Sequence, residues 1–309
     1  MKNKSLSAII IGNGSIGKRH FKILNQLKVQ TYILSSRDFL SNKISIDFKK
    51  FNLKKTIFFI CNNTNLHFYT LKKIAKKHMN IFIEKPLISD HQDLKITKKL
   101  IKNLKLNIFT GYLFRHDPRI LKLKKIVNED IKNILLASFS LQTYMPNWHP
   151  EENYRNKYAN RKKYGGGVLL TCSHEIDLAI YLFGDVNDII VKKVKSSLKN
   201  DVESSVLLIL SHKNGIISQL NLDFSNDIGF QRTLEIKANK KIYKLDFKKK
   251  YLEVKTKKNL KKINIPSYVN LSKIYVNQIK KVIKNINIKK DSKILETEKL
   301  IFQAKKKLN

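Results

Sequence analysis

Cysteine is scarce in this 309-residue chain, which holds only Cys61 and Cys172. They show no Cys-x-x-Cys spacing, so neither a zinc site nor a disulfide framework is expected, and two buried thiols account for them. Long hydrophobic runs are also missing. No stretch approaches the ~18 apolar residues of a membrane span. The apolar run that follows Met1–Ser7 is too short for a secretory leader, so the expectation is a cytoplasmic protein. Carboxylates are few: 24 Asp and Glu stand against 62 Lys and Arg, a formal charge of +38. Such an excess invites a nucleic-acid partner. Arginine, the usual reader of base edges, supplies only seven of those 62. The lysines are scattered along helix faces, and Ile, Asn, Phe and Tyr are abundant beside them, the mark of AT-rich codons. A solvated basic surface is the expectation, with no specific nucleic-acid partner and only non-specific polyanion binding at low salt.

The hydrophobic share of 42% and the length suit about two domains. The first third alternates strand and helix: strands at Ala8–Ile11, Thr31–Leu34, Thr56–Cys61, Asn80–Ile83 and Leu106–Thr110, helices at Ser15–Leu27, Leu66–Lys77 and Asp90–Asn103. The continuously apolar strands suit a parallel sheet covered on both faces, so this is read as an α/β, doubly wound Rossmann domain over residues 1–115. The pattern then changes. A helix near Arg119–Val127 leads to a strand at Ile134–Leu141, a polar, aromatic loop from Gln142 to Tyr164, and a helix Val168–Phe183 ended by Gly184. From Ile189 to Ile265 strands follow one another, with a hairpin at Ser211–Gly215, and helices at Leu271–Ile283 and Ile294–Lys306 finish the chain. Residues 116–309 are therefore expected to form a second, α+β domain on an open, mostly antiparallel sheet.

Two short segments carry most of the chemistry. Ile9–Ile11 runs into Gly12-Asn13-Gly14-Ser15-Ile16-Gly17 and then a helix. Glycines there let backbone approach a pyrophosphate, and the helix start presents free N–H groups to it. Ile81–Ile83 runs into Glu84-Lys85-Pro86. Ligands of an open parallel sheet bind beyond its strand carboxyl ends, which puts Lys85 at the edge of a cofactor crevice. The second strand ends in Ser35-Ser36-Arg37, with no carboxylate for ribose hydroxyls. That run suits a 2′-phosphate and favours NADP over NAD, unless Asp38 is the ribose ligand.

Tyr164-Gly165-Gly166-Gly167 precedes a helix bearing Thr171, His174 and Asp177 at three-residue spacing. His174 is suited to take a hydroxyl proton as a hydride leaves the same carbon, with Asp177 orienting or charge-stabilising the imidazole. A half-buried helix histidine tied to Asp177 for structure accounts for the same pattern. His174-Glu175 is not followed by the second histidine of a zincin, and no metal is expected.

These segments together resemble the glucose–fructose oxidoreductase / inositol dehydrogenase / MocA (Gfo/Idh/MocA) family. The resemblance rests on Gly12–His20, Asn63-Thr64-Asn65-Leu66-His67, Glu84-Lys85-Pro86, Gly111-Tyr112 with Arg115 and Pro118, Gly165–Leu170, His174-Glu175-Ile176-Asp177 and Leu182-Phe183-Gly184. It implies an NAD(P)-dependent oxidoreductase of a sugar, cyclitol or nucleotide sugar, with Lys85 touching nicotinamide and the reacting hydroxyl and His174 as acid/base. It also implies a frequently cis Lys85–Pro86 bond, cofactor contacts from Asn62, Asn63, Thr64, His67 and Glu84, substrate contacts from Arg115 and Thr171, and a homodimer or homotetramer. Many relatives carry an aspartate where Thr171 stands, so a non-catalytic NADP- and sugar-binding sensor is the alternative. The loop Met145–Arg155 holds the only tryptophan. Trp148 and Tyr154 would stack on a sugar and Arg155 would clamp a carboxylate or phosphate, as in a subgroup tied to surface-polysaccharide sugars. A loop that packs on the sheet or at a subunit interface is the other reading.

Overall fold

A computed structural model of the chain describes residues 6–148, 151, 153–156, 158–249, 251–264, 270–288 and 293–308. The chain falls into two compact units. One holds the residues up to Tyr112 together with Tyr275–Lys299, the other Leu113–Ile274 and the residues from Leu300. In chain order the elements are β1 (Ser7–Ile11), α1 (Ser15–Gln26), β2 (Gln30–Leu34), α2 (Ser36–Leu40), β3 (Thr56–Ile60), α3 (His67–Ile74), β4 (Asn80–Ile83), α4 (Gln92–Asn103) and β5 (Asn107–Thr110). Then come α5 (Pro118–Asp130), β6 (Ile134–Gln142), α6 (Val168–Thr171), α7 (Ser173–Phe183), β7 (Val186–Lys193), β8 (Ser205–His212), β9 (Ile217–Asp223) and β10 (Gln231–Ala238). The last are β11 (Ile242–Asp246), β12 (Tyr251–Lys255), β13 (Leu260–Asn264), α8 (Leu271–Lys284) and α9 (Glu296–Leu308).

The first unit is the expected Rossmann-like sheet, parallel throughout in the order β2-β1-β3-β4-β5. β1, β3 and β4 are buried along their whole length, which is why their sequences are unbroken apolar runs. The strand order reverses at β1, with β2 on one side and β3 on the other, and Ile11 lies level with Ile60. Loops leaving β1, β3 and β4 therefore gather at one switch point, where such folds hold ligands. One expectation is corrected here. Residues 116–309 do not all form the second unit, because Tyr275–Lys299 belongs to the first. Ile279 and Val282 of α8 are buried with Ile23, Leu24, Phe59, Phe82 and Phe109. The amphipathic helix buries its apolar stripe on this core.

The second unit is an eight-stranded sheet in the order β13-β12-β11-β10-β6-β9-β8-β7. Its described pairings are antiparallel except β6 with β9. The expected α+β domain on a mostly antiparallel sheet is borne out. β8 and β9 alternate buried and less buried residues, as strands with one face on a core do. The hairpin turn forms with Gly215 at φ +86°. The expected continuous helix Val168–Phe183 is broken at Cys172, with a bend of 44° between the segments Lys162–Thr171 and Ser173–Phe183. Residues Val168–Leu170, Ile176, Leu178 and Ala179 are all buried, so the apolar positions pack on both sides of the break at Thr171-Cys172-Ser173. The Gln142–Tyr164 segment is a run of short 3-10 turns in which His149, Pro150, Glu152 and Lys157 lie outside the described residues. Ile265, the expected end of the strand series, also lies outside them. Among the described residues no single helix is long and apolar enough to cross a membrane.

Candidate active site

The three glycines after β1 are required for different reasons. At Gly12, φ is +120° and a Cβ would lie 2.6 Å from the backbone of Cys61. A Cβ on Gly17 would lie 1.8 Å from the Gly12 carbonyl oxygen. The chain's own packing thus forbids side chains at both. Gly14 is different: its φ is −71° and a Cβ there would meet nothing within 4 Å. Its missing side chain leaves space at the start of α1. That helix start has no side-chain cap and no acidic residue in its first turn, and its first internal bond runs from the Lys18 N–H to the Gly14 oxygen. The N–H groups of Ser15, Ile16 and Gly17 precede that bond. Asn13 and Ser15 are exposed, whereas Ile16 turns its side chain to the core. An uncapped, positively poled helix start behind an open glycine fits the pyrophosphate of a dinucleotide.

At the end of β2, Ser35 is a helix cap, its Oγ accepting the Asp38 N–H at 3.4 Å. Ser36 opens α2, and Arg37 is exposed. Among the described residues Arg37 is the one arginine whose side chain has no protein partner. Arg19 lies over Tyr275, Arg155 over Tyr154, and Arg115, Arg119, Arg161 and Arg232 pair with Asp177, Asp117, Asp201 and Glu175.

Beyond β4 the Lys85–Pro86 bond is cis, as the resemblance implied. The residues around it are engaged with protein. Glu84 Oε1 lies 2.7 Å from Nε2 of His20, which is fully buried. Gly111 packs beside it: a Cβ there would lie 2.7 Å from Glu84 Oε2 and press on that carboxylate. His67, expected on the cofactor, is instead 1% exposed, with Nδ1 2.8 Å from the Pro86 oxygen and Nε2 3.0 Å from the Asn62 oxygen. Burial holds its pKa below the usual histidine value despite those two carbonyls. The neutral ring that results donates to one of them at a time. The Asn62 amide donates to Thr70 Oγ1 at 2.7 Å, Asn63 precedes a short 3-10 turn, and Thr64 begins it. The sequence-expected residues Gly12–Ile16, Asn62–Thr64 and Glu84–Lys85 thus share the carboxyl end of one sheet, on adjacent strands.

In the second unit, Gly167 is required because its φ is +102°, and a Cβ there would also press on the Glu203 carboxylate. Glu203 covers the start of α6: its backbone oxygen accepts the Val168 N–H at 2.9 Å and its carboxylate the Leu169 N–H at 3.3 Å. Thr171 ends α6 and is 8% exposed. The break at Cys172 separates it from His174 and Asp177 on α7, so the three do not share one continuous helical face. The His174 ring packs edge-on against Phe114, with centroids 4.9 Å apart. Arg232 lies 4.5 Å over the same Phe114 ring, and its Nε is 2.8 Å from the buried Glu175 carboxylate. Asp177 is engaged by Arg115: both of its oxygens accept from the guanidinium, at 2.9 and 2.7 Å. Arg115 in turn lies over the Tyr181 ring, whose hydroxyl burial pushes to a raised pKa.

The aromatic loop is tied to the sheet. The Trp148 indole donates to Thr143 Oγ1 at 2.8 Å and packs edge-on against Phe224, leaving the residue 38% exposed. The Tyr154 hydroxyl accepts the Lys199 N–H at 3.4 Å, and Arg155 is exposed. Sequence reading missed Glu203, Arg232 and the burial of His20. A signal existed for His20, which stands on the same helical face as Ile16, Ile23 and Leu24.

Residues 122–244 match the model of the GFO/IDH/MocA C-terminal domain. The chain is 22% identical over 191 residues to inositol 2-dehydrogenase of Rhizobium meliloti (strain 1021), an alignment covering 59% of this chain and 54% of that protein. The chain thus spans about half the length of that curated relative. It superposes on levoglucosan dehydrogenase in complex with NADH and levoglucosan with TM-score 0.80 and 16% identity, covering 98% of each chain. An NAD binding oxidoreductase from Klebsiella pneumoniae gives TM-score 0.80 at 12% identity over 99% of this chain and 97% of that one. UDP-N-acetylglucosamine 3-dehydrogenase from Acidithiobacillus ferrooxidans gives 0.75 at 13% identity over 99% and 98%. At these identities the superpositions show a shared fold. The resemblance carried by the sequence motifs is borne out in that residues 122–244 match the model of the Gfo/Idh/MocA C-terminal domain and the whole chain shares the fold of these dehydrogenases.

Proposed function

We propose that the protein is an NAD(P)-dependent oxidoreductase that moves a hydride between nicotinamide and a hydroxyl or carbonyl carbon of a sugar, cyclitol or nucleotide sugar. The observation that carries this reading is the open Gly14 at an uncapped helix start after β1, with one strand, β3, between it and the secured Lys85 turn after β4 on the same sheet edge. When bound, the nicotinamide supplies or accepts the hydride. Lys85 holds the reacting oxygen by charge, and His174 takes or returns its proton. Asp177 orients Arg115, which meets an anionic group of the substrate. Thr171, Trp148, Tyr154 and Arg155 complete the sugar contacts. The substrate class is supported by the alignment with an inositol 2-dehydrogenase and by the folds shared with a levoglucosan dehydrogenase and a UDP-N-acetylglucosamine 3-dehydrogenase. The last of these supports nucleotide sugars, such as those of surface polysaccharides, within that class.

NADP is the proposed preference, because Arg37 stands uncommitted after β2 and no carboxylate ends that strand. The levoglucosan dehydrogenase structure is a complex with NADH, so the proposed NADP preference rests on this chain's own Ser35–Arg37 segment. The experiment is cofactor binding by nicotinamide fluorescence followed by a sugar and nucleotide-sugar turnover screen. His174→Ala is expected to bind NADPH normally and to lose about 10²–10⁴-fold in turnover. Unchanged turnover would remove His174 from the mechanism. Joint binding of NADPH and sugar with no hydride transfer would instead establish a sensor.

A further inference from the structure

Lys85 sits in a turn whose neighbours are each held by a buried ionisable side chain from a different helix. Glu84, before it, meets Nε2 of His20 on α1 at 2.7 Å. Pro86, after it, has its carbonyl oxygen 2.8 Å from Nδ1 of His67 on α3. Next, the Leu87 N–H donates at 2.8 Å to Oε1 of Glu298 on α9, 211 residues away. That same Glu298 oxygen accepts the Tyr112 hydroxyl at 2.8 Å. His20 and Glu298 are fully buried and His67 nearly so. His20 is further caged by the rings of Phe59, Phe82 and Tyr275, at 5.5, 5.1 and 5.7 Å.

Burying three ionisable groups around one short turn is costly, and apolar side chains would fill the same volume with less penalty. What the polar groups add is direction. Each holds one backbone or carboxylate atom at hydrogen-bond geometry, and the three held atoms surround a single residue. We propose that Glu298, acting with His67 and His20, is a positioning residue that fixes the direction in which the Lys85 side chain leaves the sheet edge. Glu298 touches neither cofactor nor substrate in this scheme; it acts through the Leu87 amide. The inference rests on the reading of Lys85 as the group that holds the reacting oxygen, and it adds residues from the far C-terminal helix to that site's machinery.

The test compares Glu298→Ala, Glu298→Gln and Tyr112→Phe with the wild type and with Lys85→Met. Glutamine keeps a carbonyl oxygen that can accept from Leu87 and Tyr112, whereas alanine removes it. Hydrogen exchange of the 84–88 segment is read by mass spectrometry, NADPH affinity by fluorescence, and kcat and KM by hydride transfer. With Glu298→Ala, exchange at Leu87 is expected to quicken by about tenfold, the scale of a lost hydrogen bond. NADPH affinity should stay within about threefold, since the Gly12–Gly17 turn is untouched. The loss should fall on kcat rather than KM, and Glu298→Gln should restore both exchange and kcat. Tyr112→Phe, which removes one partner of the same oxygen without deleting the carboxylate, should leave Leu87 protected and kcat near the wild type. Leu87 exchange and kcat both unchanged in Glu298→Ala would overturn the proposal. So would a Glu298→Gln protein that regains Leu87 protection yet stays as slow as alanine. If Lys85→Met is as active as the wild type, the reading of Lys85 falls instead, and the exchange arm still decides whether Glu298 holds the turn.

Discussion

Arg115 and Asp177 form a two-bond fork: Nε donates to Oδ2 at 2.9 Å and Nη2 to Oδ1 at 2.7 Å. The Asp177 side chain is 2% exposed and that of Arg115 is 38% exposed. The pair joins two residues that sequence reading had given separate tasks, one on substrate and one on the imidazole. Burying a carboxylate this deep is costly on its own, and here a planar cation meets both of its oxygens.

Removing Arg115 should therefore destabilise more than an exposed ion pair would. Arg115→Ala leaves Asp177 buried without its counter-charge, an expected loss of about 1–3 kcal/mol after allowing for the open side of the guanidinium. Arg115→Lys should rescue only in part, as a lysine cannot form the fork. Urea unfolding of the two variants checks this, and a loss under half a kcal/mol in Arg115→Ala would show the fork to be incidental.

The glycines of the first turn should separate folding from binding. Gly17→Ala forces a Cβ against the Gly12 oxygen and should cost about 1–3 kcal/mol or more of stability. Gly14→Ala meets no protein atom and should shift stability by less than about 1 kcal/mol. Its NADPH affinity should nonetheless fall by an order of magnitude or more, because the methyl enters the space that backbone and pyrophosphate share. Thermal melts and fluorescence titrations of the two proteins give the answer, and full affinity in Gly14→Ala would remove the dinucleotide from this turn.

Cofactor choice should turn on the uncommitted arginine. Arg37→Ala is expected to weaken NADPH by about 1–3 kcal/mol, the scale of a lost charge-assisted bond, and to leave NADH nearly unchanged. Equal weakening of both cofactors would show that Arg37 does not read a 2′-phosphate. The measurement is a pair of titrations at fixed salt.

Acid sensitivity should trace in part to His212. Its Nδ1 is 2.9 Å from the Gly184 oxygen and its Nε2 2.9 Å from Ser218 Oγ, which suits a neutral ring donating to one and accepting from the other. Burial lowers its pKa below 6.5. Between the folded and unfolded values the unfolded chain binds a proton that the folded chain does not, so stability falls as pH drops through about 6.5 and levels off below the folded value. The slope from one such group is at most about 1.4 kcal/mol per pH unit. His212→Asn should flatten it, while His67, shifted the same way by burial, keeps a residual slope. Urea midpoints at pH 7.5 and 5.5 test the difference, and an equal drop in variant and wild type would clear His212.

Much of the site was legible because its signals are local. Gly12 and Gly17 announce themselves through spacing alone, and the tight backbone contacts found there explain why no other residue serves. Lys85 was placed by a strand that ends just before it. His174 was placed by the helix that follows three glycines, although the break at Cys172 was not visible in a segment whose apolar residues continue on both sides of it. Trp148 and Tyr154 were singled out as aromatic residues in a polar loop, yet a loop bound to the sheet through Thr143 and Phe224 looks the same in one dimension.

The sequence by itself determined the two sheet types. Unbroken apolar runs at 9–11, 57–60 and 81–83 suit strands buried on both faces, and uninterrupted strands from Ile189 onward suit an antiparallel sheet. It also determined where backbone must come closest to a ligand, through the glycines at 12, 14 and 17. The tertiary structure alone decided the partners. Asp177 chose Arg115 across 62 residues, Glu298 chose Leu87 across 211, and α8 returned from Tyr275 to the first core. Charges in a chain carry no address. In a protein with 62 basic side chains, which one meets a given carboxylate is set by the folded path of the backbone and by the cost of leaving that carboxylate buried and unpaired.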